Sequence, residues 1–296
     1  MNAIAENQLR AWPGRWFYFC CSCLIAAVVG YGFSQTIGNN LLHAKIPRPF
    51  VLWVHALVFG GWIVLFIVQI TLIRTRHIRW HRSLGVAAML LGAAIPVIGV
   101  ATSLEMARFD LDHGLFDAVE SAAFLSIPFN DMIFFTGALA AAFWWRTRPE
   151  IHRRMTLLAT CLLTAAAFAR FPFITIRALH WYPGVDALLL LAVAQDIRAG
   201  RRVHRAYAIS LPLVVSGQIA AMWLYLARPT WWVEFAHASF DQAAVRAWTQ
   251  HLLAGLRATR TLPRLAHGCL RVADDPLRAS SLSQSHTVAQ AVGART

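Results

Sequence analysis

The 296 residues include a single lysine, Lys45, placed between two apolar runs. A retinal-binding bundle needs a Schiff-base lysine in its last helix, so that class is excluded. Residues 206–227, the last long apolar run, contain no histidine, which removes the zinc-dependent seven-helix hydrolases and their His-x-x-x-His ligands. No Walker loop, dinucleotide fingerprint, nucleophile elbow or His-Glu-x-x-His motif occurs. Charge is also scarce. Asp, Glu, Lys and Arg make up 14% of the chain, against about 25% in an ordinary soluble domain. The five cysteines imply no disulfide framework: Cys20, Cys21 and Cys23 cluster in the first apolar run as small packing residues, and Cys161 and Cys269 have no evident partner.

What the chain does have is apolar length. Hydrophobic residues are 58% of it and the mean hydropathy is +0.52. A bilayer core about 30 Å thick takes roughly 20 helical residues to cross, and seven runs approach that length: 16–37, 50–73, 84–104, 122–145, 155–176, 183–197 and 206–227. The expected fold is all-α, a polytopic transmembrane bundle of seven spans. The first run has no small-residue cleavage site and reads as an anchor.

Arginine placement orients it. If the N-terminus is cytoplasmic, the inner segments carry Arg10 and Arg15, then Arg74, Arg76, Arg79 and Arg82, then Arg146, Arg148, Arg153 and Arg154, then Arg198, Arg201, Arg202 and Arg205. The outer loops carry only Lys45, Arg48, Arg108 and Arg177. This bias predicts N-terminus in and C-terminus out, in the inner membrane of a bacterial-type cell. The net charge of +13 is therefore topology signal; the expected partner is the lipid bilayer, with no nucleic acid and with room for a small-molecule ligand.

Three segments follow: a cytoplasmic 1–15, the seven-helix domain 16–227 and a largely unstructured tail 228–296. The tail opens on the aromatic pair Trp231 and Trp232, offers a short surface helix around Trp248, Leu252, Leu253 and Leu256, and holds a Ser-rich stretch at 280–285. Gly85, Gly92 and Gly99 recur every seven residues and predict a close-packing seam on the third helix. Pro96, Pro128, Pro172 and Pro212 predict kinks. The acidic segment 105–120 reads as a short amphipathic surface helix whose Asp110, Asp112, His113 and Asp117 form a solvated face; their spacing matches no metal loop, and no metal site is expected.

An ionisable group inside a span costs about 2.5 to 3.5 kcal/mol on insertion scales, so such groups face the bundle interior and find partners. His55, Asp131 beside Asn130, and Arg170 qualify. All fall in the outer half, and the expectation is a buried polar cluster with Asp131 and Arg170 as an ion pair and His55 nearby. His55, Trp62 and Gln69 share a face of the second helix, Thr156, Thr160, Ala167 and Arg170 one of the fifth, and Gln218 adds a polar group in the seventh. At the inner headgroup level a His-Arg pair recurs as His81-Arg82, His152-Arg153 and His204-Arg205, read first as anchors and helix caps.

The stretch from His55 through Gln69 to His81-Arg82-Ser83-Leu84-Gly85, with the later Arg-Pro-Glu-Ile-His-Arg-Arg-Met at 148–155, resembles uncharacterised bacterial multi-pass proteins with a His-Arg-x-Leu-Gly loop motif. More remotely it is similar to the cytochrome b561 and ferric-reductase class of haem-binding bundles. That resemblance implies a membrane redox protein binding haem b or quinone, with His55, His81 and His152 as ligands and Arg170 as partner of a propionate. This chain has only one deep histidine, His55, where the class pairs histidines on neighbouring helices. Two other readings stand beside it: a proton-coupled transporter or small-molecule binding protein using His55, Asp131 and Arg170, and a non-catalytic membrane scaffold.

Overall fold

The computed structural model describes residues 3–172, 182–200 and 202–240, with side chains from residue 16 onward. These residues belong to one compact unit ending at Phe240, and among them there is no strand. Residues 173–176 of the fifth run, Arg177, Arg201, the 248–256 segment, Cys269 and the 280–285 stretch lie outside the described residues.

The long apolar runs become helices α1 (Ala3–Ser34), α2 (Val51–Arg74), α3 (Ile78–Asp112), α4 (Ala118–Phe124), α5 (Ser126–Trp144) and α9 (Arg205–Ala227), and a turn of π-helix, Gly38–Leu42, follows α1. Five stretches are long and apolar enough to cross a membrane: Trp16–Ser34, Val51–Arg74, Ile78–Asp112, Ala118–Trp144 and Arg205–Ala227. Their outward faces carry Leu57, Leu90, Val97, Ile133 and Ile209, each roughly two-thirds exposed or more. So continuous an apolar surface on a water-soluble monomer would be an aggregation site; against hydrocarbon it is at rest.

The fifth and sixth runs take another form. They become α6 (Pro149–Leu162), α7 (Ala165–Phe168) and α8 (Tyr182–Gly200). From Arg154 to Leu162 every residue of α6 except Thr156 is buried, so this helix lies inside the bundle and touches α5, α8 and α9. α7 continues α6 after a turn at Leu163 and Thr164, where the Thr164 hydroxyl donates to the Cys161 carbonyl (2.6 Å). α5 packs against α3, α6 and α9.

Several local expectations change. Pro96 and Pro212 do sit inside helices, but Pro128 lies in the first turn of α5, where its missing N–H leaves nothing unsatisfied, and Pro172 follows α7. The acidic segment is not one surface helix: α3 continues to Asp112, a turn with Gly114 at φ +63° follows, and the Asp117 side chain then caps α4 by accepting from the Glu120 N–H (2.7 Å). Gly92 and Gly99 form the predicted seam, since a Cβ at either would meet Leu139 and Trp62, or Met132 and Phe59; Gly85 faces open space. The tail begins with a helix, α10 (Thr230–Phe240), packed on α4 and α3. Of its aromatic pair, Trp231 is exposed and Trp232 is core, its indole donating to the Ala123 carbonyl (3.3 Å). Arg108 donates from Nε and Nη2 to the Phe240 carbonyl (3.1 and 2.6 Å), satisfying an orphan acceptor at the end of α10.

Candidate functional site

The four residues the sequence singled out as cofactor contacts divide between two cavities at opposite ends of the bundle. His55 and Arg170 line one of about 520 Å³, where α1 and α7 end and α2 and α5 begin. His81 and His152 line another of about 470 Å³, where α2 ends and α3 and α6 begin. His55 and Gln69, one at each end of α2, are 14 residues apart, about 21 Å along the helix. Trp62 is buried between them, donating from Nε1 to Thr160 Oγ1 (3.2 Å) and meeting Phe135 edge to face at 5.7 Å.

The wall of the His55 cavity is mostly apolar, and its polar groups converge from separate elements. His55, one turn into α2, stacks on Phe59 with centroids 3.9 Å apart, and its buried Nδ1 has no hydrogen-bond partner. Arg170, just past α7, donates from Nε to Thr36 Oγ1 (3.0 Å) and from Nη1 to the Ala166 carbonyl, with its guanidinium 4.4 Å over the Phe33 ring. Asp131, on the same cavity, turns the other way. Its Oδ1 accepts from the Tyr182 hydroxyl (3.1 Å) and, at 3.4 Å, from Asn130 Nδ2, which also donates to Tyr182 (3.1 Å).

The expected Asp131–Arg170 ion pair is therefore absent among the described residues. The reason is local: Arg170 folds back over its own turn and onto α1, while α8 supplies Asp131 with a neutral donor. His55, Asn130, Asp131 and Arg170 are still neighbours, as a shared cavity wall and a hydrogen-bonded triad with Tyr182. Gln218 lies apart, donating to Asp186 (3.0 Å).

In the His81 cavity the hydrogen bonds assign the tautomers. His152 Nδ1 lies 2.8 Å from the Ala142 carbonyl, which can only accept, so Nδ1 carries the proton and Nε2 keeps its lone pair. The Gln69 amide is oriented by two backbone groups: its oxygen accepts from the Gly85 N–H (3.1 Å) and its nitrogen donates to the His81 carbonyl (3.2 Å). The same nitrogen donates to His81 Nδ1 (2.6 Å), leaving the His81 proton on Nε2. One imidazole thus offers a donor and the other an acceptor. A haem held between two imidazoles needs an unprotonated nitrogen from each. Among the described residues the His55 cavity has one histidine in its wall, and in the His81 cavity His152 Nε2 is free to ligate while His81 would first have to move its proton to Nδ1 and give up the Gln69 bond.

A buried ion pair stands beside the His81 cavity. Arg154 donates from Nε to Asp196 Oδ2 (2.9 Å) and from Nη2 to Oδ1 (2.6 Å), both residues being under a tenth exposed, and from Nη1 to Glu150 (2.6 Å). In the sequence Arg154 reads as topology signal, and its i,i+4 spacing from Glu150 is the clue to a pairing. Burial pushes the Glu150 carboxyl up, but the Arg154 hydrogen bond and the Arg153 and Arg154 charges outweigh it and hold Glu150 below its ordinary value. His204, which caps α9 by accepting from the Ala206 N–H (3.1 Å), is lowered by burial and by the Arg154 charge.

The acidic-segment residues are engaged elsewhere. Asp110 meets Arg48 (3.5 Å) and His113 Nδ1 meets the Phe109 carbonyl (2.8 Å). Among the described residues no group of three or more His, Cys, Asp or Glu side chains could hold a metal ion. Compared with protein-family models, curated proteins and solved structures, the chain matches none.

Proposed function

We propose that this chain is a bacterial inner-membrane protein of seven crossings, N-terminus in, that binds an amphipathic ring ligand of quinone type in the His55 cavity as a membrane redox protein. Arg74, Arg79, Arg82, Arg153, Arg154 and Arg198, gathered at the His81 end against Arg108 at the other end of α3, support that orientation. The observation that carries the ligand reading is the unpartnered, buried Nδ1 of His55 in a mostly apolar cavity whose cationic wall residue, among the described residues, is Arg170. A buried ring nitrogen without a partner costs about 1 to 3 kcal/mol, a cost a ligand oxygen would relieve. Apolar walls with few convergent polar groups are what a planar ring with carbonyl or hydroxyl oxygens requires. His55 would bond one ring oxygen, Arg170 would supply positive charge to another, and Asp131, held from behind by Tyr182 and Asn130, would stand at the far wall.

The test is titration of the purified protein in lipid nanodiscs with a decyl-substituted benzoquinone, read by tryptophan fluorescence. Saturable binding that weakens about tenfold or more in both His55→Leu and Arg170→Gln supports the reading. Absent saturation, or unchanged affinity in both variants, overturns it.

A further inference from the structure

The His55 cavity has a second property, its opening. Its wall between α1 and α2 is built from Gly30, Ala56 and Gly60, and all three are exposed while lining the cavity. A Cβ placed on Gly30 or on Gly60 would meet nothing within 4 Å. Other glycines on the same helices behave differently: a Cβ on Gly32 would collide with the Ala167 backbone, and one on Gly61 would touch Leu91. Gly32 is a close-packing residue. Gly30 and Gly60 bring no neighbour closer, and what their missing side chains leave is an aperture.

The aperture faces hydrocarbon. Leu57, on α2 beside it, is 77% exposed, Val64 one turn beyond Gly60 is 62% exposed, and Tyr31 and Leu24 are exposed on α1. Gly60 is nine residues into α2, about 14 Å from its start, well below any headgroup layer at that end. The polar groups, His55 and Arg170, lie on the cavity wall nearer the end of the bundle.

Resting on the ligand reading above, we infer that the cavity is loaded sideways from the bilayer, through a portal between α1 and α2 framed by Gly30, Ala56 and Gly60. The ligand class is then narrower: a lipid-dissolved ring bearing a hydrocarbon tail, its oxygens at His55 and Arg170 and its tail lying through the portal into lipid. A water-soluble ring without a tail has no need of this opening and does not use it once bound.

The experiment is a size series at the portal, Gly60→Ala, Gly60→Leu and the double Gly30→Leu/Gly60→Leu, in nanodiscs, titrated with a decyl-substituted benzoquinone and with the tail-less ring. Leucine in place of glycine raises helix propensity and fills space the fold leaves open. Gly60→Ala binds both ligands as the parent does. The leucine variants lose about tenfold or more in affinity for the tailed ligand and stay within about twofold for the tail-less one. Unchanged tailed binding in the double variant overturns the portal, while a simultaneous loss in His55→Leu leaves the site standing. A parallel loss of both ligands down the series overturns it too, because the glycines would then serve the cavity itself. If the parent binds neither ring, the site reading falls and the portal with it.

Discussion

Trp62 on α2 donates its indole N–H to Thr160 on α6 across 3.2 Å, and the two residues stand between the His55 and His81 cavities. A buried neutral hydrogen bond is worth about 0.5 to 1.5 kcal/mol net, and stranding one partner costs more. Thr160 also donates to the Thr156 carbonyl, so its hydroxyl would keep one partner without the indole. Thr160→Val, which strands the buried indole N–H, is therefore expected to lower the melting temperature in detergent, and to cost less once Trp62→Phe has removed that donor, so that the double variant is less destabilised than the sum. Additive losses would mean the contact contributes nothing.

Removal of either member of the buried Arg154–Asp196 pair strips the other of its two parallel charge-assisted bonds, with Glu150 still on Arg154 when Asp196 is the one removed, and is expected to cost about 3 to 5 kcal/mol. Asp196→Asn and Arg154→Met should each reduce the yield of monodisperse protein sharply, and Arg154→Met/Asp196→Leu should recover much of it. Arg154→Lys should not rescue the single loss, because a lysine cannot make the two parallel bonds seen here. Recovery by lysine would show that charge alone matters.

Asp131 and Arg170 make the opposite case. They share a cavity wall without touching, so a cycle of Asp131→Asn, Arg170→Gln and the double variant should be additive within about 0.5 kcal/mol by thermal melting. A coupling well above that would restore the ion pair.

Acidification should weaken the His81 end. A group whose pKa is lower in the folded state binds its proton less well when folded, so its stabilising effect is full above the unfolded pKa and falls away as pH drops through that value and on to the folded one. His204 is lowered, which puts its loss at about pH 6.5 and below, and protonation of Nδ1 also removes the acceptor that caps α9. Glu150 is lowered, which puts a second, smaller loss at about pH 4.3 and below, small because the side chain is half exposed. His204→Asn keeps a capping oxygen without a titrating ring, so its melting temperature should fall less than the parent's from pH 7.5 to about 5.5. A parallel fall in both would remove His204 as the cause.

Run length and the 3.6 period carried most of the fold, because an apolar helix in lipid needs little besides composition. α2 and α9 agree with the runs to within a residue at each end, and His55, Asp131 and Arg170 do meet on one cavity. What could not be seen is partner choice. Whether Asp131 turns to Arg170 or to Tyr182 depends on how α8 is rotated, and no spacing within α5 encodes that. The Arg154–Asp196 pair was hidden by a rule that reads every arginine at a helix end as a topology signal. The two opposite tautomers of His81 and His152 are set by a carbonyl on α5 and an amide on α2, each on the neighbouring helix across a short turn.

The burial of α6 bears on how the protein is made. Glu150, Arg153 and Arg154 open α6 at the His81 end, and Arg154 is buried there against α8. On the seven-crossing reading, this segment reaches its place only when its neighbours are already there to hide it: α5 synthesised just before it and α8, with Asp196, just after. Arg154 is then without this carboxylate until Asp196, 42 residues later, has been made, and a chain stopped between α6 and α8 would carry an arginine it cannot yet bury.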